Sequence, residues 1–216
     1  MTNFNNEFDY SKTYYKVLRK DMTHNGFKYE MGLNVDTNEF NDNPKESCVK
    51  GGLYFVDNEH IAQFICWGEY LAEITIPKES KIIKLGNLKY RTDRFIIEKI
   101  IPININTLDA IILNNPNYPK ETILKDLVFK KRFSLAKDFL SKYDLSRDPI
   151  YISILYRIMK FAINMNSIEI KNFVIENLGY FRYHEPNMFS LDYNFLINYR
   201  DEGRYKQINF IYDNNL

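Results

Sequence analysis

The chain of 216 residues contains little cysteine and carries almost no net charge. Its two cysteines, Cys48 and Cys66, are too few for the disulfide framework of a small secreted domain, and neither has a partner at the spacing of a zinc site. The 29 Lys and Arg residues nearly cancel the 28 Asp and Glu residues. No overall field therefore concentrates the protein on polyanions, and we expect neither nucleic acid nor a membrane as a partner.

Long apolar runs and a leader segment are also missing. One of the longest apolar stretches, residues 95–105, is interrupted by Glu98, Lys99, Pro102 and Asn104, and it is much shorter than the roughly 20 residues of a membrane span. No basic and then apolar segment opens the chain. The sequence thus predicts an intracellular protein that is neither secreted nor embedded in a membrane.

The sequence lacks the motifs of common catalytic and phosphate-binding sites. It contains no G-x-x-x-x-G-K-[ST], no G-x-G-x-x-G and no G-x-S-x-G segment. His24, His60 and His184 are the only histidines, and none has a second ligand at metal-site spacing. We therefore assign no catalytic residue, no cofactor-binding residue and no metal ligand, and we expect no cofactor.

What the chain does contain is enough apolar and aromatic residues, 45% and 16%, to exclude a disordered protein. The first half is rich in alternating or β-branched segments, which predict strands. Asn58–Gly68 predicts a short helix, because its apolar residues are dense and a glycine follows them. The predicted strands are Tyr14–Leu18, Gly26–Tyr29, Gly51–Val56, Tyr70–Ile76, Lys81–Leu85 and Arg94–Ile101. Together they predict a small α+β domain over residues 1–112.

The amino-acid composition changes at Asn114–Pro119, where two prolines and three asparagines occur within six residues. Such a segment interrupts both helical and strand periodicity. The sequence therefore predicts a linker over residues 113–121 and a helical part over residues 122–216.

The helical part contains a self-similar pattern. Residues 159–179 have the pattern of two short amphipathic helices joined by a polar turn, and weaker copies lie about 34 residues before and about 37 residues after. Phe139, Phe173 and Phe210 occupy the same place in the three copies. This spacing predicts an all-α stack of about three helix pairs. An unrelated helical bundle is the alternative, because amphipathic helices carry the same few residue types at core positions.

The copies resemble degenerate ankyrin repeats. Ankyrin helix pairs carry a stretch like GHLEIVKLLLEKGA, and NSIEIKNFVIENLGY at residues 166–180 is similar to it. The opening T-P-L-H signature is absent, since residues 157–160 read RIMK. The resemblance covers about the last 90 residues and implies a surface for binding another protein.

A second resemblance covers about residues 14–100. The ordered segments KVLRKDMTHNGFKYEMGLN, GGLYFVD, LAEITIPK and KYRTDRFIIEK are similar to an uncharacterised domain of giant viruses of the mimivirus kind, which often precedes ankyrin repeats. The resemblance implies a protein–protein interaction module of a giant-virus ankyrin-type protein, without catalysis. Its partner would be an unidentified host or viral protein, met in the host cytoplasm.

Two alternatives to this function remain. His24, Tyr54 and Glu73 follow the His, Tyr, Glu order with which some ADP-ribosyltransferases orient NAD, so the first domain could be an NAD-binding enzyme of that kind. The other alternative is a virus-specific structural protein.

Two basic clusters are candidates for surface binding. Lys16, Arg19 and Lys20 lie at the end of the first predicted strand, and a second cluster opens the helical part between two aromatic residues. The second cluster comprises Lys125, Lys130, Lys131 and Arg132, with Phe129 and Phe133 interleaved. Such mixtures can bind nucleic acid, although a solvated helix face is the commoner explanation on a neutral chain.

Overall fold

A computed structural model of the chain describes residues 8–143, 154, 157, 158 and 164–184. The chain divides into two compact units, Met1–Tyr143 and Asp144–Leu216. Within residues 8–143 there are nine strands, β1 to β9 in chain order: Tyr14–Leu18, Thr23–His24, Phe27–Lys28, Gly32–Val35, Leu53–Phe55, Tyr70–Thr75, Ile82–Leu85, Lys89–Thr92 and Arg94–Pro102. Helices α1 (Ile105–Asn114), α2 (Lys120–Phe129) and α3 (Phe133–Lys142) follow, and α4 spans Ile168–His184 in the second unit.

The strands form two larger antiparallel sheets and one small hairpin. The first sheet has the order β1-β6-β9-β4, the second has the order β5-β8-β7, and β2 pairs with β3. Only Asp93 separates β8 from β9, so one extended segment crosses from the second sheet to the first. Tyr15 and Val56 exchange two backbone hydrogen bonds of 2.8 and 2.9 Å, which join β1 to the end of β5. The two sheets are therefore joined at two places, by the chain between β8 and β9 and by the Tyr15–Val56 bridge, so that β1, β6, β9, β8 and β5 form a closed ring of strands. β4 and β7 are the outermost strands.

The ring encloses an aromatic core. Tyr14, Phe55 and Tyr90 lie together, with centroid distances of 5.3 Å from Tyr14 to Phe55 and 5.2 Å from Phe55 to Tyr90. Alternate residues of β1 are buried, as the two-residue period of a strand requires. Each large apolar side chain removed from water in this way contributes roughly 1.5–3 kcal/mol.

The segment predicted as a helix over Asn58–Gly68 is instead two short 3-10 turns, Ile61–Gln63 and Ile65–Trp67. The apolar residues are buried as expected, but no side chain caps the backbone at the start of either turn. A segment this short has few hydrogen bonds to offset the cost of nucleating an α-helix. The prediction of a helix here was wrong, although the prediction of burial was right.

The predicted fold class was also wrong. Residues 14–102 form three sheets followed by a few helices, and not a small α+β domain followed by a stack of helix pairs. The strand predictions at Tyr14–Leu18, Gly26–Tyr29, Gly51–Val56, Tyr70–Ile76, Lys81–Leu85 and Arg94–Ile101 are confirmed by β1, β3, β5, β6, β7 and β9. β2, β4 and β8 were not predicted.

Part of the repeat prediction concerns residues that the structure does not describe. Residues 159–163, which begin the clearest copy, and the third copy at residues 196–215 lie outside the described residues. The side chains of α4 are described as far as Asn177, and there Ile170, Phe173 and Val174 are buried.

The predicted linker is the connection between α1 and α2. Asn114 ends α1 and Lys120 begins α2. The side-chain amide of Asn115 donates to the carbonyl oxygens of Ile111 at 2.9 Å and Asn58 at 3.0 Å. The proposed domain boundary at residues 113–121 stays a prediction.

Candidate binding cleft

An open cleft of about 420 Å³ lies where β1 ends. Three segments that are distant in sequence form it: the turn after β1, the second 3-10 turn, and the α2–α3 connection. We call it the Trp67 cleft, and its lining residues are Arg19, Lys20, Asp21, Cys66, Trp67, Gly68, Glu69, Lys130 and Arg132. Parts of the two basic clusters that the sequence presents separately therefore meet on one surface.

Close backbone contact at Gly68 positions the exposed tryptophan. A Cβ atom at this position would lie 2.2 Å from the carbonyl oxygen of Leu18, so no larger residue fits without backbone movement. The backbone of Gly68 is extended, with φ −155°, a conformation that any residue can adopt. Glycine is required here because there is no room for a Cβ atom. The N–H of Glu69 donates to the Leu18 carbonyl at 2.9 Å. Trp67 is thereby held beside the turn that carries Arg19.

Arg132 connects the helices to this turn. Its Nη1 donates to the carbonyl oxygens of Gly68 at 2.6 Å and Ile65 at 3.4 Å, and its Nη2 donates to that of Ile103 at 3.0 Å. Burial lowers the pKa of Arg132, whose ordinary value is so high that the side chain stays charged. The planar guanidinium therefore joins the start of α3, the 3-10 turn and the segment after β9.

Trp67 and Lys130, which both line the cleft, contact each other. The Nζ atom of Lys130 lies 3.7 Å from the centroid of the Trp67 ring, which is a close cation–π contact. Trp67 nevertheless remains 58% exposed. An exposed tryptophan in a concave, charged surface has the properties of a protein-binding anchor, because it offers a large apolar area at low entropic cost.

The charges of the cleft are unequal. Four cationic side chains accompany two carboxylates. Asp21 accepts hydrogen bonds from the backbone N–H of Thr23 at 3.0 Å and from its hydroxyl at 2.7 Å, and these bonds lower the pKa of Asp21. Arg19 and Lys20 are exposed, and among the described residues neither forms an ion pair. The cleft therefore presents a surplus of positive charge beside Trp67.

The Cys66 thiol is part of the wall of the cleft. It is 4% exposed, and its Sγ lies 3.7 Å from the carbonyl oxygen of Ile123. Burial raises its pKa to about 12. Cys66 thus stays protonated at neutral pH and has no nucleophilic character.

The His24, Tyr54 and Glu73 candidates do not share a cleft. The rings of His24 and Tyr54 lie 6.4 Å apart, but the Tyr54 hydroxyl is occupied by the backbone of Val49, to which it donates at 2.7 Å and from which it accepts at 2.9 Å. Glu73 pairs across the sheet with Tyr15.

The pairing of β6 with β1 places the Glu73 side chain on the face of the sheet opposite to Lys16. Lys16, the neighbour of Tyr15, donates from Nζ to the Tyr54 carbonyl at 2.9 Å. Because successive residues of a strand point to opposite faces, Glu73 lies on the face opposite to Lys16 and the Tyr54 segment. The geometry brings two of the three candidates together and separates the third.

Of the other two histidines, only His60 has a described side chain, and it contacts a single carboxylate. His60 Nδ1 lies 2.6 Å from Asp57 Oδ1, and the side chain of His184 lies outside the described residues. In the described part of the chain, no group of three or more His, Cys, Asp or Glu residues could hold a metal ion.

Comparison with known proteins connects the chain to giant viruses. A protein of Acanthamoeba polyphaga mimivirus named an ankyrin repeat protein is 47% identical over 75 residues, which are 35% of this chain and 37% of that protein. An uncharacterised protein of the same virus is 36% identical over 74 residues, 34% of this chain and 54% of its own length. Another protein named an ankyrin repeat protein is 34% identical over 76 residues, 35% of this chain and 23% of that protein.

These similarities are partial. The matched part of the chain spans between about a quarter and about half of the length of these three relatives. No protein-family model matches the chain, and no solved structure matches it. Among the helices that the structure describes, none has the length and apolar character to cross a membrane.

Proposed function

We propose that the chain is an intracellular protein-binding module, without catalysis, that contacts a host or viral partner through the Trp67 cleft. The mimivirus relatives named ankyrin repeat proteins are consistent with a role in protein interaction. The similarity covers about a third of the chain, so the location of the binding surface rests on the geometry of this chain.

The observation that carries the proposal is the exposure of Trp67 inside a concave, charged cleft. Binding energy at protein interfaces concentrates in a few residues, with tryptophan and arginine enriched among them. Here Gly68 and Arg132 hold the segment that carries the tryptophan, so the partner meets a surface that needs little ordering.

Site-specific photo-crosslinking in living cells tests the proposal. A photoreactive amino acid replaces Lys20 in the full chain, which is expressed in Acanthamoeba cells. The matched control carries the same group at Lys78, an exposed lysine that does not line the cleft. We expect a discrete protein adduct from position 20 and none from position 78.

A second substitution makes the assay specific to the cleft. Trp67→Ala in the position-20 chain should abolish the adduct, whereas Leu113→Ala, which removes an 81% exposed leucine on α1, should leave it. Equal adducts from both probe positions, or an adduct that persists in Trp67→Ala, would contradict binding at this cleft.

A further inference from the structure

The charges of the Trp67 cleft indicate which kind of protein segment it accepts. Resting on the protein-binding function proposed above, we propose that the cleft binds an acidic segment of the partner whose carboxylates meet Arg19, Lys20 and Lys130 and whose apolar side chain covers Trp67.

Charge complementarity is the first reason. Arg19 and Lys20 are adjacent, exposed and without an ion pair in the described residues. Arg132 donates to three backbone carbonyls and thereby holds the wall of the cleft in place. The cations that contact the ligand are therefore Arg19, Lys20 and Lys130. Aspartate and glutamate side chains match such a set, and carboxylate partners form the stronger, charge-assisted class of hydrogen bonds.

Trp67 and Lys130 supply the second reason. With the ammonium group 3.7 Å from the ring centroid, a carboxylate that reaches Lys130 places the following residue of the ligand next to the indole. An apolar or aromatic residue adjacent to an acidic one would therefore satisfy both groups at once. A cleft of about 420 Å³ is in the size range that holds several side chains rather than a single small anion.

The carboxylates in the cleft favour a protein segment over a nucleic acid. Asp21 and Glu69 lie among the cations, and they repel a continuous phosphate backbone. A polypeptide can avoid this repulsion, since it can place a neutral or donor residue opposite Glu69. Single-stranded nucleic acid also binds to rows of stacking aromatics in a cationic groove, whereas this cleft offers Trp67 alone among aromatic residues.

The test uses the intrinsic fluorescence of Trp67, the one tryptophan of the chain. The full-length protein is titrated with a short synthetic peptide that alternates Asp and Glu with Phe. We expect a saturable change in Trp67 emission and an affinity that falls as salt rises. A peptide with Asn and Gln in place of Asp and Glu should bind at least about tenfold more weakly.

Charge-reversal variants locate the binding. The double variant Arg19→Glu, Lys20→Glu should bind the acidic peptide about tenfold or more weakly than the wild type. Lys78→Glu with Lys81→Glu makes the same change of charge at exposed lysines outside the cleft and should leave the affinity unchanged. If the first double variant does not fold, Lys130→Gln gives the same comparison through a single exposed residue.

Three results would overturn the inference: equal binding of the neutral peptide, equal weakening by both double variants, or tighter binding of a single-stranded oligonucleotide that depends on the same cations. None of them removes the proposed function, since the crosslinked adduct at position 20 does not depend on the peptide chosen. Conversely, if the peptide binds as expected and no adduct forms in cells, the protein-binding function fails.

Discussion

The guanidinium of Arg132 donates a 2.6 Å hydrogen bond to the carbonyl oxygen of Gly68. The two residues are far apart in sequence, and their bond joins the helical connection after α2 to the turn that carries Trp67. Because Gly68 also lies against Leu18 at the end of β1, this one contact fixes three walls of the cleft relative to one another.

We predict that Arg132→Met lowers the free energy of unfolding by about 2–4 kcal/mol. The substitution removes a charged hydrogen-bond donor, and the half-buried carbonyl oxygens that it contacts lose this partner. Urea denaturation followed by Trp67 emission measures the change. Arg132→Lys should give an intermediate loss, since an ammonium group cannot reproduce the planar fork.

Arg19→Met is the matched control for this prediction. It removes an exposed arginine from the same cleft, so it should change the free energy of unfolding by less than about 0.5 kcal/mol. Similar losses in the two variants would show that Arg132 acts only through charge and not as a connection between segments.

We predict that Gly68→Ala costs roughly 1–3 kcal/mol and shifts Trp67 emission, because the new methyl group meets the backbone of Leu18. Gly26→Ala serves as the control: nothing lies within 4 Å of its Cβ position, and its cost comes from a φ of +82°. That variant should lose stability without any change in native Trp67 emission. Unaltered emission in Gly68→Ala would contradict the role given to this contact.

The sequence predicted the strands in which apolar residues occupy the buried positions. Tyr14–Leu18 is an example, with buried residues at every second position. β4 and β8 depart from this pattern, because polar residues are buried in both strands, and for that reason they were missed. In β4, Leu33 is 61% exposed while Asn34 is buried, its amide bonded to the Glu30 and Gly32 backbone. In β8, the buried side chains are those of Arg91 and Thr92, which are both 0% exposed.

The cleft was only partly visible in the sequence. Both basic clusters were identified, but their meeting depends on the closed ring of strands and on bonds from Arg132 to backbone carbonyls, for which no residue pattern exists. Trp67 was placed among the apolar residues of a predicted helix. Its exposure follows from the 3-10 turn that replaces that helix, a change too local for periodicity to reveal.

A pH-dependent stability is expected from Lys16. Its side chain is 5% exposed, and its Nζ lies 4.5 Å from the centroid of the Tyr29 ring. Burial, followed by the charge of Lys89, lowers its pKa from 10.5 to about 7. Above pH 7 the folded chain has released this proton while the unfolded chain keeps it until about pH 10.5, so stability rises with pH across that window.

The comparison of wild type with Lys16→Met isolates this effect from other titrating groups. The groups around Lys16 include His24, whose pKa burial lowers to about 4, and Tyr29, whose pKa burial raises. Between pH 7 and 8.5 the free energy of unfolding of the wild type should rise by roughly 1–2 kcal/mol relative to that of the variant. A difference that stays constant over this range in urea titrations would contradict the lowered pKa.

The enzyme alternative leads to the last prediction, which concerns NAD. A ligand that binds only the folded state raises the melting temperature in proportion to the logarithm of its concentration. Glu73 lies on the face of the sheet opposite to the Tyr54 segment, and the Tyr54 hydroxyl is bonded to Val49. We therefore expect millimolar NAD to leave the melting temperature unchanged. The acidic peptide serves as the positive control and should raise the melting temperature. A concentration-dependent rise with NAD that Glu73→Gln removes would contradict this expectation and favour a transferase.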